Sequence, residues 1–302
     1  MTSIHTIDLH FLGSSESTAA FLIIGPNGPV LVECGPGSTL NTLVAGLAQY
    51  GIKPSDIKDV LLTHIHLDHG GAAGWWAQQG ARIHVHHFGA PHLIDPSKLL
   101  VSAQRIYGDK MQMLWGDYLA SPADKVNALH DGDVINAGGL QFNVIETPGH
   151  AMHHMAYQFG DIAFVGDVGG MRISARNHIR LPTPPPEFQR EVWQASARKM
   201  RTKGFSRIYL THFGPLDGAE VVAAHWTSVE ALADIYANFV YEQIVSGADR
   251  DTIVQRFVAW EKQRMQADHM SEADLELYNG VGPTDMSADG IMRYWKKKMG
   301  SS

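Results

Sequence analysis

The run Thr63-His64-Ile65-His66-Leu67-Asp68-His69-Gly70-Gly71 packs three imidazoles and a carboxylate into six consecutive positions. Neutral imidazole nitrogen and carboxylate oxygen are the ligand set that suits zinc, with iron and manganese next, at bond lengths of about 2.0 to 2.2 Å. The bland explanation is a solubilising polar loop, because 17 of the 302 residues are histidine. Context argues against it. Val60-Leu61-Leu62 reads as the end of a buried strand and Gly70-Gly71 as a turn, so the polar side chains leave a strand end and can converge on one point.

The remaining ligands for a two-metal site stand downstream, each after its own apolar run. Phe142 to Glu146 alternates like a strand, breaks at Pro148-Gly149 and presents His150 on the next loop. Ile162 to Val165 ends in Gly166-Asp167, where a carboxylate can bridge two cations, and Arg207 to Leu210 leads to Thr211-His212. His178 and His225 compete with His212, but His178 follows an irregular charged stretch and His225 sits in a helical pattern. His212, leaving a strand, is preferred. The His84-Val85-His86-His87 cluster reads as strand, and no neighbouring carboxylate or cysteine in the sequence completes a coordination shell there.

With these residues in view, the chain resembles the metallo-β-lactamase-fold hydrolase superfamily, in particular its glyoxalase II-like and lactonase-like members. The resemblance spans residues 4–215, from Val30-Leu31-Val32-Glu33-Cys34-Gly35-Pro36-Gly37 through His-x-His-x-Asp-His, Thr147-Pro148-Gly149-His150, Gly166-Asp167 and Thr211-His212. It implies His64, His66 and His150 on a first metal and Asp68, His69 and His212 on a second, with Asp167 bridging. It also implies two divalent ions, zinc foremost, with iron or manganese as alternatives. Two departures stand out. Glu33 occupies a supporting position where the family usually has Asp, and His212 is followed by Phe213-Gly214-Pro215 rather than standing in the commoner Gly-His-Gly-like setting. His154 falls where relatives often hold a residue that orients a ligand by hydrogen bonding.

These groups need a scaffold. Strands are expected at about 6–11, 20–24 and 30–33, joined by turns such as Gly25-Pro26-Asn27-Gly28-Pro29, with a helix from an N-cap at Ser38 to about Tyr50. Strands near 141–146, 155–159 and 162–165 follow, then a helix over about 186–203. The expected architecture is an α/β protein, an αββα sandwich with strand-end loops gathered along one edge. Residues 1–218 form the expected catalytic domain, with an insertion over about 91–125, and residues 219–302 a helical C-terminal extension that caps the site or mediates homo-oligomer contacts. The insertion, rich in Leu, Met and aromatics, offers Met113 and Trp115 as an apolar substrate wall. Residues 169–187, directly after Asp167, should overhang the metals and offer Arg172, Arg176 and His178 to an anionic group.

Composition sets outer limits. Hydrophobic residues at 44% and charged residues at 18% fit a globular chain rather than a disordered one. A formal net charge of −7 argues against a nucleic-acid surface, which needs clustered Lys and Arg. The lone cysteine, Cys34, excludes an internal disulfide and fits a reducing compartment. Residues 1–8 lack a basic start followed by an apolar core, and no run of about 18 apolar residues suggests a membrane span, so a cytoplasmic location is expected.

The expected chemistry is hydrolysis by a metal-activated hydroxide of an ester-type bond: lactone, carboxylic ester or thioester, with phosphoester and β-lactam cleavage as side activities on small molecules. Asp68 is the expected proton acceptor. The main alternative is a persulfide dioxygenase-like protein holding one iron through His64, His150 and Asp167. A flavin-linked di-iron protein fits less well, because His66 stands where that branch has Glu. A non-catalytic binding protein on the same scaffold is the third reading.

Overall fold

The computed structural model describes residues 2–175 and 177–300. Six strands form a first sheet in sequence order: β1 (Ser3–Asp8), β2 (Ala19–Gly25), β3 (Gly28–Val32), β4 (Asp59–Leu61), β5 (Arg82–His86) and β6 (Val126–Leu129). The first three pair antiparallel and the last three continue the sheet in parallel. A second six-stranded sheet holds β7 (Val134–Ala137), β8 (Leu140–Glu146), β9 (Met155–Phe159), β10 (Ile162–Phe164), β11 (Arg207–Leu210) and β12 (Gly214–Asp217), mixed in direction. Its β10 and β11 run parallel.

Helices cover both outer faces. In chain order they are α1 (Leu40–Ala48), α2 (Leu67–Gly70), α3 (Ala73–Gln78), α4 (Ala90–Ile94), α5 (Ser97–Tyr107), α6 (Met111–Trp115), α7 (Arg190–Thr202), α8 (Ala219–Val245), α9 (Arg250–Ala267), α10 (Glu272–Val281) and α11 (Thr284–Lys298). None is long and apolar enough to cross a membrane.

Strand alternation assigns each side chain to a layer. Phe21, Ile23, Val30 and Val32 of the first sheet meet Phe142, Val144, Tyr157 and Tyr209 of the second in a buried inter-sheet core. Their neighbours Ala20, Leu22 and Leu31 point the other way, onto α1 and α3. On the far side Ile145, Ile208 and Leu210 pack with Trp193 of α7 and Trp226 of α8. Because both faces of each sheet are covered, the strands read as nearly continuous apolar runs. The order of layers is therefore α, β, β, α, as expected, with a helical extension continuing from the second sheet's side.

Some boundaries differ from expectation. The first strand lies at Ser3–Asp8, because it must pair in register with Ala19–Gly25. Ser38 does not cap α1: its Oγ donates to the Leu114 carbonyl at 2.6 Å and so fastens the insertion to the domain. The helix expected from Pro186 begins at Arg190. β6, β7, β12 and α10 carried no clear periodicity and emerge only in the fold, where β6, β7 and β12 complete sheet edges.

Candidate metal centre

Ligand-type side chains leave the C-terminal ends of β4, β8, β10 and β11 and meet along one edge of the sandwich. Two groups result: His64, His66, His150 and Asp167 in one, Asp68, His69 and His212 in the other, with the donor atoms of each group within 4.8 Å of one another. Asp167 joins them. Its Oδ2 lies 3.3 Å from His150 Nε2, and its Oδ1 lies 3.2 Å from His69 Nε2 and 3.4 Å from His212 Nε2. Ligands bonded at about 2.1 Å to one tetrahedral cation sit about 3.4 Å apart, so these spacings are those of coordination-shell edges.

Hydrogen bonds on the outer side of each ring decide which nitrogen faces inward. His64 Nδ1 meets Thr63 Oγ1 at 3.1 Å, His69 Nδ1 meets Glu33 Oε1 at 2.9 Å, His150 Nδ1 meets the Pro182 carbonyl at 2.8 Å, and His212 Nδ1 meets the Ser17 carbonyl at 2.9 Å. With the proton held at Nδ1, the Nε2 lone pair of each ring points into the site. His66 turns the other way and brings Nδ1 to 2.9 Å from His150 Nε2. The buried atoms His64 Nε2, His69 Nε2 and Asp167 Oδ1 find no hydrogen-bond partner among the described residues. Buried polar atoms are normally paired, and these three converge in the pattern that a divalent cation satisfies.

Electrostatics separate the two groups. Burial, reinforced by neighbouring imidazoles, holds His64 and His66 well below the usual histidine range, and burial lowers His150 as well. These rings are neutral, as metal ligands must be. Burial also opposes charge on His69 and His212, but Asp167 and Asp68, with Glu33 adding to the effect at His69, outweigh it and raise both. Burial pushes the Asp68 carboxyl up, yet His69 and His212 pull it down to about 2. Positive charge is thus favoured at the second group.

Glu33 organises this half of the site. It is fully buried, and its carboxylate accepts from Thr63 Oγ1 at 2.5 Å, Thr63 N at 3.2 Å, His69 Nδ1 at 2.9 Å and Thr211 Oγ1 at 3.1 Å. One side chain therefore ties together the exits of β3, β4 and β11. The Glu33 backbone is left-handed, φ 62°, a conformation that costs a non-glycine residue about 1 kcal/mol or more. Thr63 and Thr211 were not singled out from the sequence; the signal was the Thr-His pair repeated at two strand ends.

Other expected residues fall in three classes. His154 sits close, its ring 5.0 Å from that of His64, but it bonds no ligand side chain. Its Nδ1 meets Thr147 Oγ1 at 2.8 Å and its Nε2 accepts from Val168 N at 3.4 Å, which steadies the backbone after Asp167. Gly166 is required there: its φ is 50°, and a Cβ would lie 2.5 Å from Thr63 Oγ1. Trp115 lines the cavity above the site and packs on Phe11 and Tyr107.

Met113, His178 and Arg172 do not line that cavity, which corrects the expectation for each. Met113 is 61% exposed on the outer side of the insertion. His178 is fully buried and bonds Asp268 at 2.7 Å and Glu261 at 3.4 Å, both in the C-terminal extension. Arg172 donates its backbone N–H to the His212 carbonyl and its guanidinium to Asn177. Arg176 lies outside the described residues. His225 bonds the Gly169 carbonyl at 2.8 Å, so neither competitor displaces His212.

The His84–His87 segment also needs a correction, since carboxylates do approach it. His84 pairs with Asp59 at 2.9 Å and His86 Nε2 with Glu146 at 3.2 Å. His86 Nδ1 accepts the Phe88 N–H, which leaves the proton on Nε2, directed at Glu146. His86, His87 and Glu146 thereby form a third group of ligand-type atoms within 4.8 Å of one another, against the expectation that no carboxylate completes such a set here.

Above the metal-type site lies a cavity of about 310 Å³ whose walls are mostly apolar. Its sides come from α5, α6, the proline run 182–186 and the turn between α10 and α11. The segment after Asp167 thus overhangs the site through its prolines, while Arg172 and Arg180 stay out of the cavity lining.

A sequence profile of the metallo-beta-lactamase superfamily matches residues 15–212. The metallo-beta-lactamase fold-containing protein ST1585 of Sulfurisphaera tokodaii is 25% identical over 200 residues, covering 65% of this chain and 72% of that one. A hydroxyacylglutathione hydrolase of Rhodopseudomonas palustris is 33% identical over 120 residues, covering 39% of this chain and only 34% of its own length. Among solved structures, the metallo-beta-lactamase family protein TTHA1429 from Thermus thermophilus superimposes with a TM-score of 0.72 at 18% identity, over 99% of this chain and 94% of that one. At that identity the likeness concerns the fold, and it includes the C-terminal helices.

Proposed function

The chain belongs to the metallo-beta-lactamase superfamily, and from that premise we propose that it is a dinuclear metal-dependent hydrolase of ester-type bonds in small molecules. Lactones, carboxylic esters and thioesters are the proposed substrates, the thioester having the added support of a relative named hydroxyacylglutathione hydrolase. Residues 1–218 carry the chemistry, with 91–125 and 219–302 enclosing it, and a reducing cytoplasm is the proposed location. The observation that carries the reading is Asp167, whose two oxygens are divided between His150 on one side and His69 and His212 on the other.

In this reading His64, His66 and His150 would hold one ion and Asp68, His69 and His212 the other, with Asp167 placed to serve both. Zinc best suits that donor set, with iron or manganese as alternatives. The chemistry such ions would supply there, once bound, is hydroxide at neutral pH and polarisation of the substrate's carbonyl oxygen. The protein's own groups do the rest. Thr63, Glu33, Pro182 and Ser17 fix the ring orientations in advance, so no reorganisation accompanies the reaction. Asp68 faces the cavity and is ionised at neutral pH, which suits it to orient the attacking water and accept its proton. The apolar walls exclude bulk water and thereby strengthen these polar interactions.

A parallel screen of lactones, thioesters, carboxylic esters, phosphodiesters and β-lactams, with metal content measured on the same sample, tests the proposal. Turnover of one of the first three classes with two equivalents of metal is expected. One iron per chain with oxygen uptake on a persulfide would replace it with the dioxygenase reading. Inertness across the panel in the metal-loaded protein would leave only a binding role.

A further inference from the structure

The cavity over the site is walled by parts of the chain that have no role in holding metal. Leu99, Ala103 and Ile106 of α5 line it together with Val281 and Met286, flanking the α10–α11 turn, and Pro184 of the proline run. Of charged side chains beyond Asp68 and Asp167, the lining contains Lys98 and Glu187, and among the described residues no arginine lines it. One cation matched by one anion makes no site for a phosphate or for a pair of carboxylates, which are held by clustered Arg and Lys.

The C-terminal wall is built in rather than loosely apposed. Thr183 Oγ1 donates to the Ser287 carbonyl at 3.0 Å, and Arg180 Nη1 donates to the Gly282 carbonyl at 3.2 Å. α11 approaches the proline run so closely that a Cβ on Gly290 would lie 1.9 Å from the Thr183 carbonyl oxygen. A Cβ on Gly282 would sit 3.1 Å from Met171 Sδ. A wall fixed at this many points is preorganised for its ligand.

From this geometry, and resting on the hydrolase reading above, we propose that the substrate carries one uncharged apolar group seated between α5 and the α10–α11 turn. The substrate class is an ester, lactone or thioester of a medium-length aliphatic or compact aromatic acid. Residues 281–286 of the C-terminal extension determine its length. The cavity of about 310 Å³ stands at the small end of ligand pockets, which run from about 300 to 1,000 Å³. A glutathione-type leaving group carries two carboxylates, and among the described residues these walls offer a single fixed cation, Lys98, to meet them.

The test uses equilibrium binding, so that it does not depend on turnover. Acetamide, octanamide and S-methylglutathione, whose sulfur cannot form a thiolate, are titrated calorimetrically into the zinc-loaded protein and into the variants Met286→Trp and Ala103→Trp, which add bulk to the cavity lining from two different elements. Octanamide is expected to bind at least about tenfold more tightly than acetamide and more tightly than S-methylglutathione, since each buried methylene adds to affinity. Both variants should reduce that preference to below about threefold while retaining the wild-type metal stoichiometry. Equal affinity for the two amides, S-methylglutathione as the tightest ligand, or a preference unchanged in both variants would overturn the assignment. Octanamide preference in a protein that cleaves no ester, lactone or thioester would sustain the pocket and remove the hydrolase reading, so the two failures are distinguishable.

Discussion

At the scale of single residues, the site depends on groups that set the state of their neighbours. Glu33 accepts from His69 Nδ1 and from both threonines that precede ligand-type histidines. Glu33→Gln removes the charge and turns an amide N–H₂ toward some of these donors. It should weaken the second metal about 10- to 100-fold, the range seen when outer partners of metal ligands are lost, with the first retained; chelator competition followed by metal analysis checks it. Asp167→Ala removes the shared carboxylate of both groups, so metal content and turnover should fall together. Full activity in a metal-free Asp167→Ala protein would contradict the proposed chemistry outright.

Elements place those residues, and α7 illustrates how. Trp193 on this helix donates Nε1–H to the Val168 carbonyl at 2.9 Å, one residue beyond Asp167, and its ring meets that of His150 edge-on at 5.7 Å. Gly149, the residue before His150, packs so tightly on Trp193 that a Cβ would lie 2.4 Å from its Cα. A single helix position thus fixes two of the four ligand loops. Trp193→Phe keeps most of the buried area but leaves the Val168 carbonyl unpaired. It should cost about 1 to 3 kcal/mol of stability, read by denaturant unfolding, and weaken metal binding more than an equally destabilising change elsewhere in the core. Sequence periodicity located this helix to within a few residues at its start, yet gave no sign that its Trp reaches the site.

Over the whole molecule, the C-terminal extension is locked to the loop after Asp167 by a buried polar network. Glu261 accepts from Tyr236 at 2.5 Å and Arg264 at 2.8 Å, and lies 3.4 Å from both Arg180 and His178. Burial pushes its carboxyl up, but the His178 hydrogen bond, the Arg180 and Arg264 charges and the Tyr236 hydroxyl outweigh it and pull it down to about 2. A depressed carboxylate stabilises the fold above its ordinary pKa of about 4.3 and loses that contribution as pH falls toward about 2. On the order of 3 kcal/mol is at stake. Glu261→Gln should therefore unfold at lower denaturant than wild type at pH 7, with the difference shrinking from about pH 4 downward. Metal removal should act on the same stability. Ions present at about a thousand times their dissociation constant add about 4 kcal/mol, so exhaustive chelation should lower the melting temperature measurably.

The sequence by itself pointed to the ligand-type residues that the fold brings together, because His and Asp at strand ends have few other reasons to recur in that order, and the strands themselves are legible from apolar runs covered on both faces. It also determined the layered class of fold. Only the tertiary structure decided which nitrogen of each ring faces inward, since that depends on acceptors as distant as Ser17 and Pro182. It likewise turned His178 toward Asp268 and left Met113 in solvent. Above all, it brought Val281 and Met286 into one cavity lining with Ala103, a meeting of segments about 180 residues apart. Local periodicity shows that a helix is amphipathic; which partner covers its apolar face is settled by packing of the whole chain.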